Sequence, residues 1–207
     1  MKSVAHLQSE IAAKGFSYAK GASQMDLVEA LEGLGTPIYV EEVRHTPGTT
    51  SLVKSRSAIA WHTDHHRARR ILWYGLGQTS VGGETLVVDG WDVLARLSPS
   101  QVAALYRVNL FEHSVFRGDP PRHPLLRNGP NGRPCLYFSL WLADGAMNEE
   151  ERDAFDAFAA AIDRVEHRQF RIVPGDILAI DNTRMLHART KIAGTGVRHL
   201  RRYWLSA

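Results

Sequence analysis

The feature that most constrains the fold of this chain is a series of short apolar runs that begins after residue 57. The runs are rich in aliphatic and aromatic residues and cover positions 71–76, 85–88, 109–116, 135–141, 169–173, 177–180 and 198–205. Glycine, proline and asparagine separate them, as is typical of β-strands joined by tight turns. Many short strands with few helices between them predict a mainly β protein, either a β-barrel or a double-sheet jelly roll.

The predicted helices lie around this series of strands. Apolar spacing and flanking residues predict helices at 3–14, 24–34, 99–107 and 149–165, with further strands at 15–20 and 37–43. The last three helices have suitable N-cap residues in Ser23, Ser98 and Asn148. Gly15 can adopt the left-handed backbone conformation that commonly ends a helix, so it is expected to end the first one. The helices are therefore expected at the periphery of the sheets.

Length and composition predict one globular domain over residues 1–207. The chain is 44% hydrophobic and 23% charged, and no repeat, low-complexity tract or linker divides it. No apolar run is long enough to cross a membrane, and residues 1–14 lack the apolar centre of a secretory signal. The single cysteine, Cys135, cannot form an internal disulfide, so we expect a cytoplasmic location.

The sharpest local motif is His62-Thr63-Asp64. On an extended segment, residues two apart point to the same side, so an imidazole nitrogen and a carboxylate oxygen can reach one metal ion. His187, which follows the predicted strand 177–180, is the candidate third ligand. Two histidines and one carboxylate leave positions open on the ion, as in non-haem Fe(II) oxygenases. With 10 histidines in the chain, a purely structural role for these residues stays open at this point.

The last predicted strand carries two arginines on one face. Alternation places Arg198, Leu200, Arg202 and Trp204 together, with Arg198 eleven positions after His187. Arginines on an inward face are unfavourable unless they pair with anions, and a carboxylate matches the guanidinium group in a two-point contact. A solvated edge strand is the alternative.

Other histidines and aromatic residues are expected to be structural. His65 and His66 are expected in supporting or solvent-exposed positions, because two more ligands so close in sequence would crowd the ion. Structural or exposed positions are predicted for His113, His123 and His167, and core positions for Trp73, Tyr74, Tyr137, Phe138 and Trp141. Asn182 is predicted to cap the turn before His187.

Several motifs in a fixed order carry a family resemblance. They are W-H-T-D at 61–64, G-G-E-T-L at 82–86, H-P-L-L at 123–126, G-D-I-L-A-I-D-N at 175–182, His187, and R-x-x-x-R at 198–202. The series resembles the TauD/TfdA and clavaminate synthase-like branch of the Fe(II)/2-oxoglutarate-dependent dioxygenases over residues 57–205. The resemblance implies a double-stranded β-helix, which is a cupin-like jelly roll.

The resemblance also implies roles for six residues. Fe(II) would be bound by His62, Asp64 and His187. Thr85 would hydrogen-bond a carboxylate of 2-oxoglutarate, and Arg198 would pair with its far carboxylate. Arg202 would hold an anionic group of the primary substrate.

The activity implied is that of an oxygenase that uses O2 and 2-oxoglutarate to hydroxylate an unactivated C–H bond. The expected substrate is a small carboxylate-bearing or amino-acid-like molecule, with succinate and CO2 as co-products. Desaturation or cyclisation uses the same site. Halogenation is disfavoured because halogenating relatives have a small residue in place of Asp64. The chain is short for this family, so we expect trimmed substrate-lid segments, and neither the substrate nor the oligomeric state is predicted.

Two alternative functions are compatible with part of the sequence. The net charge of +3 and the basic residues at 65–70 and 198–202 suit a demethylase of nucleic acid or protein with the same iron chemistry. The nucleic-acid repair branch, however, has two arginines six apart on its last strand, and position 204 here is tryptophan. A non-enzymatic jelly-roll module that binds a ligand would explain the strands, but not Thr85, Arg198 and Arg202 together. Nucleic acid is therefore not expected as a partner.

Overall fold

The computed structural model describes residues 3–112 and 115–206. Its helices are α1 (Val4–Lys14), α2 (Gln24–Leu34), α3 (Gly90–Leu94), α4 (Pro99–Leu105) and α5 (Glu149–Ile162), with 3-10 turns at Pro130–Gly132 and Leu140–Leu142. Its strands are β1 (Phe16–Ala19), β2 (Thr36–Arg44), β3 (Ile59–His62), β4 (Arg70–Gln78), β5 (Val81–Gly82), β6 (Thr85–Asp89), β7 (Asn109–Phe111), β8 (Arg122–Pro124), β9 (Leu126–Asn128), β10 (Pro134–Leu136), β11 (Arg168–Phe170), β12 (Ile177–Asp181), β13 (Met185–Arg189), β14 (Ile192–Ala193) and β15 (Arg198–Ser206). None of the described helices is long and apolar enough to cross a membrane.

The helix ends follow from the capping residues. Ser23 and Asp26 form a reciprocal capping box at the start of α2, and Asn148 and Glu151 form another at the start of α5. Each box satisfies backbone N–H groups that have no partner inside the helix. Gly15 ends α1 with a φ of +81°, which is accessible to glycine at little cost.

Two larger sheets face each other in the described part of the chain. One has five strands in the order β1-β12-β4-β15-β2, and the other has four in the order β11-β6-β13-β3. Apolar side chains that include Trp73, Val87, Leu178, Leu200 and Trp204 pack between them. This arrangement confirms the predicted mainly β jelly roll with peripheral helices.

The helices cover the outer faces of the two sheets. Leu7 and Leu34, from α1 and α2, pack with Leu72 of the five-stranded sheet. Phe158 of α5 packs with Leu186 of the four-stranded sheet. Because neighbouring strand residues point to opposite faces, the residues beside these outer positions face the space between the sheets.

Three predicted segments differ from the structure. The predicted strand at 109–116 ends at Phe111, and its residues 113–114, with the structural role expected of His113, lie outside the described residues. The predicted strand at 135–141 ends at Leu136, because the next backbone groups bond elsewhere: Phe138 N donates to Thr63 Oγ1 at 3.0 Å and its carbonyl accepts from Thr63 N at 2.8 Å. His187 follows the turn after β12, as predicted, but it lies within a strand, β13, that was not predicted.

Candidate active site

Two histidines from neighbouring strands meet between the sheets. His62 ends β3 and lies directly opposite His187 of β13 in the antiparallel register, with ring centroids 4.1 Å apart. Asp64 Oδ1 lies 3.8 Å from His62 Nε2 and 3.9 Å from His187 Nε2. All three side chains are buried, and their candidate ligand atoms lie within 4.8 Å of one another. The sheet register therefore brings together residues that are distant in sequence.

Hydrogen bonding and burial keep these imidazoles in the form that binds metals. His62 Nδ1 lies 2.8 Å from the carbonyl oxygen of Ala60, so Nδ1 carries the proton and Nε2 presents its lone pair towards Asp64. Burial, and then the neighbouring His62, hold the pKa of His187 well below its ordinary value. A neutral imidazole is the state required of a metal ligand.

Asp64 is held as a carboxylate by two side chains of β15. Arg202 Nη1 donates to Oδ1 at 2.9 Å and to Oδ2 at 3.0 Å, and Trp204 Nε1 donates to Oδ2 at 2.8 Å. Burial by itself raises the pKa of Asp64, but the charge of Arg202 and the hydrogen bond from Trp204 act against it, and the pKa lies below the usual value. A buried, ionised oxygen ligand is thus available beside the two histidines.

Asn182 fixes the backbone that follows Asp64, which corrects its predicted role. Its Oδ1 accepts from Asp64 N at 2.8 Å, and its Nδ2 donates to the carbonyl of Ala68 at 2.8 Å. The turn before His187 is instead capped by Asp181, whose Oδ1 accepts from both the backbone and the hydroxyl of Thr183. Asn182 therefore supports the Asp64 loop across the two sheets.

Thr85 and Arg198 lie together at the edge of an inner cavity, whose lining also includes Val53, His62, Trp73, His187, Arg189 and Arg202. Arg198 Nη2 donates to Thr85 Oγ1 at 3.2 Å, and Nε donates to the carbonyl of Gly83 at 2.6 Å. Gly83 has a φ of +79°, and a Cβ there would lie 2.8 Å from Arg198 Cδ. This approach of a side chain to the backbone therefore requires glycine.

No carboxylate among residues 3–112 and 115–206 forms an ion pair with Arg198. Burial first, and then the like charges of Arg189 and Arg202, lower the pKa of Arg198 to about 9. Among the described residues, Glu84 is the acid that acts in the opposite direction, and its own bonds go to Thr190 and Arg171. Buried guanidinium groups in such an environment are stabilised by an anion.

A second cavity of about 310 Å³, here called the outer cavity, borders the His62 and Asp64 side chains. It is lined by Tyr39, Glu41, Leu52, Val53, Ile59, Val115, Trp141, Arg202 and Trp204. Trp141 was predicted to lie in the core, but it is 40% exposed and forms part of this lining. Tyr74, Tyr137 and Phe138 are buried as predicted, and Trp73 is buried and also lines the inner cavity.

Arg202 lines both cavities and forms hydrogen bonds with two carboxylates. Besides Asp64, it bonds Glu41, whose Oε2 accepts from Nη2 at 2.7 Å. Lys54 Nζ lies 3.5 Å from the other oxygen of Glu41. Arg198 and Arg202 are both buried, as the alternation along β15 predicts.

His65 and His66 form a separate hydrogen-bond network with acidic residues. Their ring nitrogens and a Glu112 oxygen lie close enough to suggest a second ion site. However, His65 Nδ1 accepts from Arg67 N at 3.1 Å, so its proton is on Nε2, which faces Asp119 Oδ2 at 2.9 Å. That nitrogen has no lone pair for an ion. His66 bonds Glu112, so acidic side chains hold both imidazole rings.

Two residues of the site, Glu41 and Arg189, were not predicted from the sequence, and a third was predicted with the wrong partner. Glu41 was within a predicted strand without a role. Asn182 was recognised with the wrong partner. Arg189, two residues after His187, was not considered, although the same alternation that places His187 inward places Arg189 there too.

The chain matches the family model described as "Taurine catabolism dioxygenase TauD, TfdA family" over residues 5–204. The gamma-butyrobetaine dioxygenases of Homo sapiens and Pongo abelii are each 26% identical to it over 164 residues. The matched region is 69% of this chain but only 42% of the length of those relatives.

Solved structures of similar fold include two non-haem iron enzymes. Asparagine oxygenase with Fe(II), 2S,3S-3-hydroxyasparagine and succinate has a TM-score of 0.77 at 18% identity, covering 98% of this chain and 77% of that one. The non-heme iron oxygenase OrfP with Fe and alpha-ketoglutaric acid has a TM-score of 0.79 at 17% identity, covering 98% and 79%. These likenesses show a shared fold. Since the family model matches nearly the whole length of the chain, the protein belongs to the TauD, TfdA family.

Proposed function

We propose that this protein is an Fe(II)- and 2-oxoglutarate-dependent oxygenase whose iron is bound by His62, Asp64 and His187. The observation that carries the proposal is the convergence of one ionised carboxylate oxygen and two imidazole Nε2 atoms at a single buried point. Two histidines and one carboxylate are the donor set of non-haem Fe(II) oxygenases. The site residues and the cavities around them then belong to one catalytic domain over residues 1–207.

Thr85 and Arg198 would hold the carboxylates of 2-oxoglutarate at the inner cavity. This cavity has a volume of about 30 Å³, so the side chains that line it must move apart when the co-substrate binds. A buried guanidinium with donors beyond those given to Gly83 and Thr85 suits a carboxylate in a two-point contact. Relatives of the same fold were crystallised with alpha-ketoglutaric acid or succinate together with iron, which supports the same co-substrate here.

The chain itself supplies geometry, charge and a dry environment. When bound, Fe(II), 2-oxoglutarate and O2 together supply the oxidising power that attacks an unactivated C–H bond, with succinate and CO2 as co-products. Arg202 and Trp204 hold Asp64 in one orientation. Trp141 and Tyr39 line the outer cavity with aromatic surface, which limits the access of water to the reacting carbon.

The proposed substrate is a small amino-acid-like molecule whose anionic group is held by Arg202. The buried Nε of Arg202 has no hydrogen-bond partner among the described residues, so this arginine retains donor capacity beyond Asp64 and Glu41. Relatives of the same fold were solved with hydroxyasparagine and with hydroxyarginine, which supports an amino-acid-like ligand. Hydroxylation is the proposed outcome.

Anaerobic spectroscopy tests the proposal directly. Addition of 2-oxoglutarate to the Fe(II)-loaded protein should produce a new visible absorption band, and a panel of amino acids should then be screened in air for succinate release. Asp64→Ala should lose the band, whereas Asp92→Ala, which changes an exposed carboxylate of α3, should keep it. A protein that binds Fe(II) without any spectral response to 2-oxoglutarate would contradict the proposed function.

A further inference from the structure

Arg189 is a buried arginine that bonds the backbone of one distant segment. It lies on β13 two residues after His187 and is 5% exposed. Its Nη1 donates to the Val53 carbonyl at 2.7 Å. Its Nη2 lies 3.1, 2.8 and 2.6 Å from the carbonyl oxygens of Leu52, Ser55 and Ser57. One guanidinium therefore forms hydrogen bonds with four backbone carbonyls between residues 52 and 57. This stretch is here called the 52–57 segment.

The 52–57 segment has little regular structure of its own. It consists of turns and bends before β3, so its carbonyls are not paired in a sheet and need other donors. Charge-assisted hydrogen bonds are among the stronger bonds available to a carbonyl. No carboxylate forms an ion pair with Arg189 among the described residues, so the four carbonyls are the partners that satisfy this buried guanidinium.

The 52–57 segment forms a wall of both cavities. Val53 lines the inner and the outer cavity, and Leu52 lines the outer one. Arg189 itself lines the inner cavity, where it is the cross-strand partner of Thr85. One guanidinium thus connects this shared wall to the strand that pairs with Thr85.

We propose that Arg189 is a positioning residue that holds the 52–57 segment as the common wall of the co-substrate and substrate cavities. The proposal rests on the proposed function for the identity of the two ligands. Because the charges of Arg189 and Arg198 repel each other, a dicarboxylate in the cavity that both residues line stabilises Arg189 in this position. Co-substrate binding and order of the 52–57 segment are then thermodynamically coupled.

The chain offers a matched control in Arg184. It is also buried, precedes the same strand, and donates to the carbonyls of Ala12 and Ala13 as well as to Asp89. It lines neither cavity. Arg184→Met therefore reports the general effect of deleting a buried arginine that bonds backbone carbonyls.

The test compares wild type with Arg189→Met, Arg189→Lys and Arg184→Met by amide hydrogen exchange, calorimetry and kinetics. In the metal-free proteins, amide exchange in the 52–57 segment should be at least tenfold faster in both Arg189 variants. Methionine has no hydrogen-bond donor, and lysine keeps the charge but lacks the planar set of N–H donors of the guanidinium. With Mn(II) in place of Fe(II), Arg189→Met should bind 2-oxoglutarate at least tenfold more weakly, and Arg189→Lys should lose less. Added 2-oxoglutarate should slow exchange in this segment of wild type. In turnover, KM for both ligands should rise more than kcat falls.

Several outcomes would overturn the positioning role. One is exchange in the 52–57 segment within twofold of wild type in both Arg189 variants. Another is equal effects of Arg189→Met and Arg184→Met on this segment and on 2-oxoglutarate affinity. If Arg189→Met does not fold, Arg189→Lys carries the exchange test alone. If wild type binds no 2-oxoglutarate, the proposed function fails, while exchange in the metal-free proteins still decides whether Arg189 holds the segment.

Discussion

Replacing Arg198 by methionine should remove most of the affinity for 2-oxoglutarate. The guanidinium has five N–H groups, and its Nε and one Nη2 donor bond Gly83 and Thr85, which leaves three for a carboxylate. A charge-assisted two-point contact in a buried site is worth about 2–5 kcal/mol. At about 1.4 kcal/mol for each factor of ten, the dissociation constant should rise roughly thirtyfold to several thousandfold.

The same substitution should leave the fold nearly unchanged. Burial lowers the pKa of Arg198 to about 9, and deleting this charge removes its desolvation penalty. Replacing buried ion pairs by apolar side chains of similar volume is often stabilising by about 1–4 kcal/mol. Leaving the Gly83 carbonyl without its donor costs about 1–3 kcal/mol. Because the two effects are similar in size and opposite in sign, the melting temperature should shift by no more than about 4 °C.

The assay is calorimetric titration of the Mn(II)-loaded protein with 2-oxoglutarate, with melting temperatures measured in parallel. Arg201→Met is the matched control, because Arg201 lies on the same strand with a side chain that is 38% exposed and paired with Glu42. It should bind 2-oxoglutarate as wild type does. A change of less than threefold for Arg198→Met, or an equal loss for Arg201→Met, would refute the assignment of Arg198 and require another anchor for the co-substrate.

Further predictions concern the metal centre and its support. Asp64→Ala should abolish succinate release and weaken Fe(II) binding, measured by metal titration, because the charged oxygen ligand is lost; normal coupled turnover would contradict its role. Arg202→Met should weaken both metal and substrate binding, since Arg202 bonds both Asp64 oxygens; unchanged metal affinity would confine Arg202 to the substrate. Asn182→Ala should lower the free energy of unfolding by about 2–4 kcal/mol in urea titrations and weaken metal binding about tenfold or more, and a loss under about 1 kcal/mol would disprove its clamping role. Burial lowers the pKa of His123 to about 4, so between pH 6.5 and 4 the unfolded chain binds a proton that the folded chain does not, and stability falls as pH falls. The loss from pH 7 to pH 5 should be about 2 kcal/mol smaller in His123→Gln than in wild type, and an equal loss in the two proteins would contradict this contribution of His123.

Local signals in the sequence determined the elements and several faces. Caps such as Ser23 and Asn148 act within four residues of themselves, so the starts of α2 and α5 could be predicted. The period of two along a strand likewise predicted that Arg198 and Arg202 face inward. Motif order along the chain was sufficient to indicate the family, which the family model confirms over residues 5–204.

Tertiary structure alone decided which side chains meet. The period of a strand specifies its two faces but not its neighbour, so the pairing of His62 with His187 depends on the register of β3 and β13. The bonds from Arg202 to Glu41 and from Arg189 to the 52–57 segment join positions more than 130 residues apart. Arg202 and Glu41 are cross-strand partners in β15 and β2, and Arg189 lies on the strand that pairs with β3, so both contacts depend on strand pairing between distant parts of the chain. Trp141 has a large apolar side chain that predicts a core position, but in the tertiary structure it lines the outer cavity.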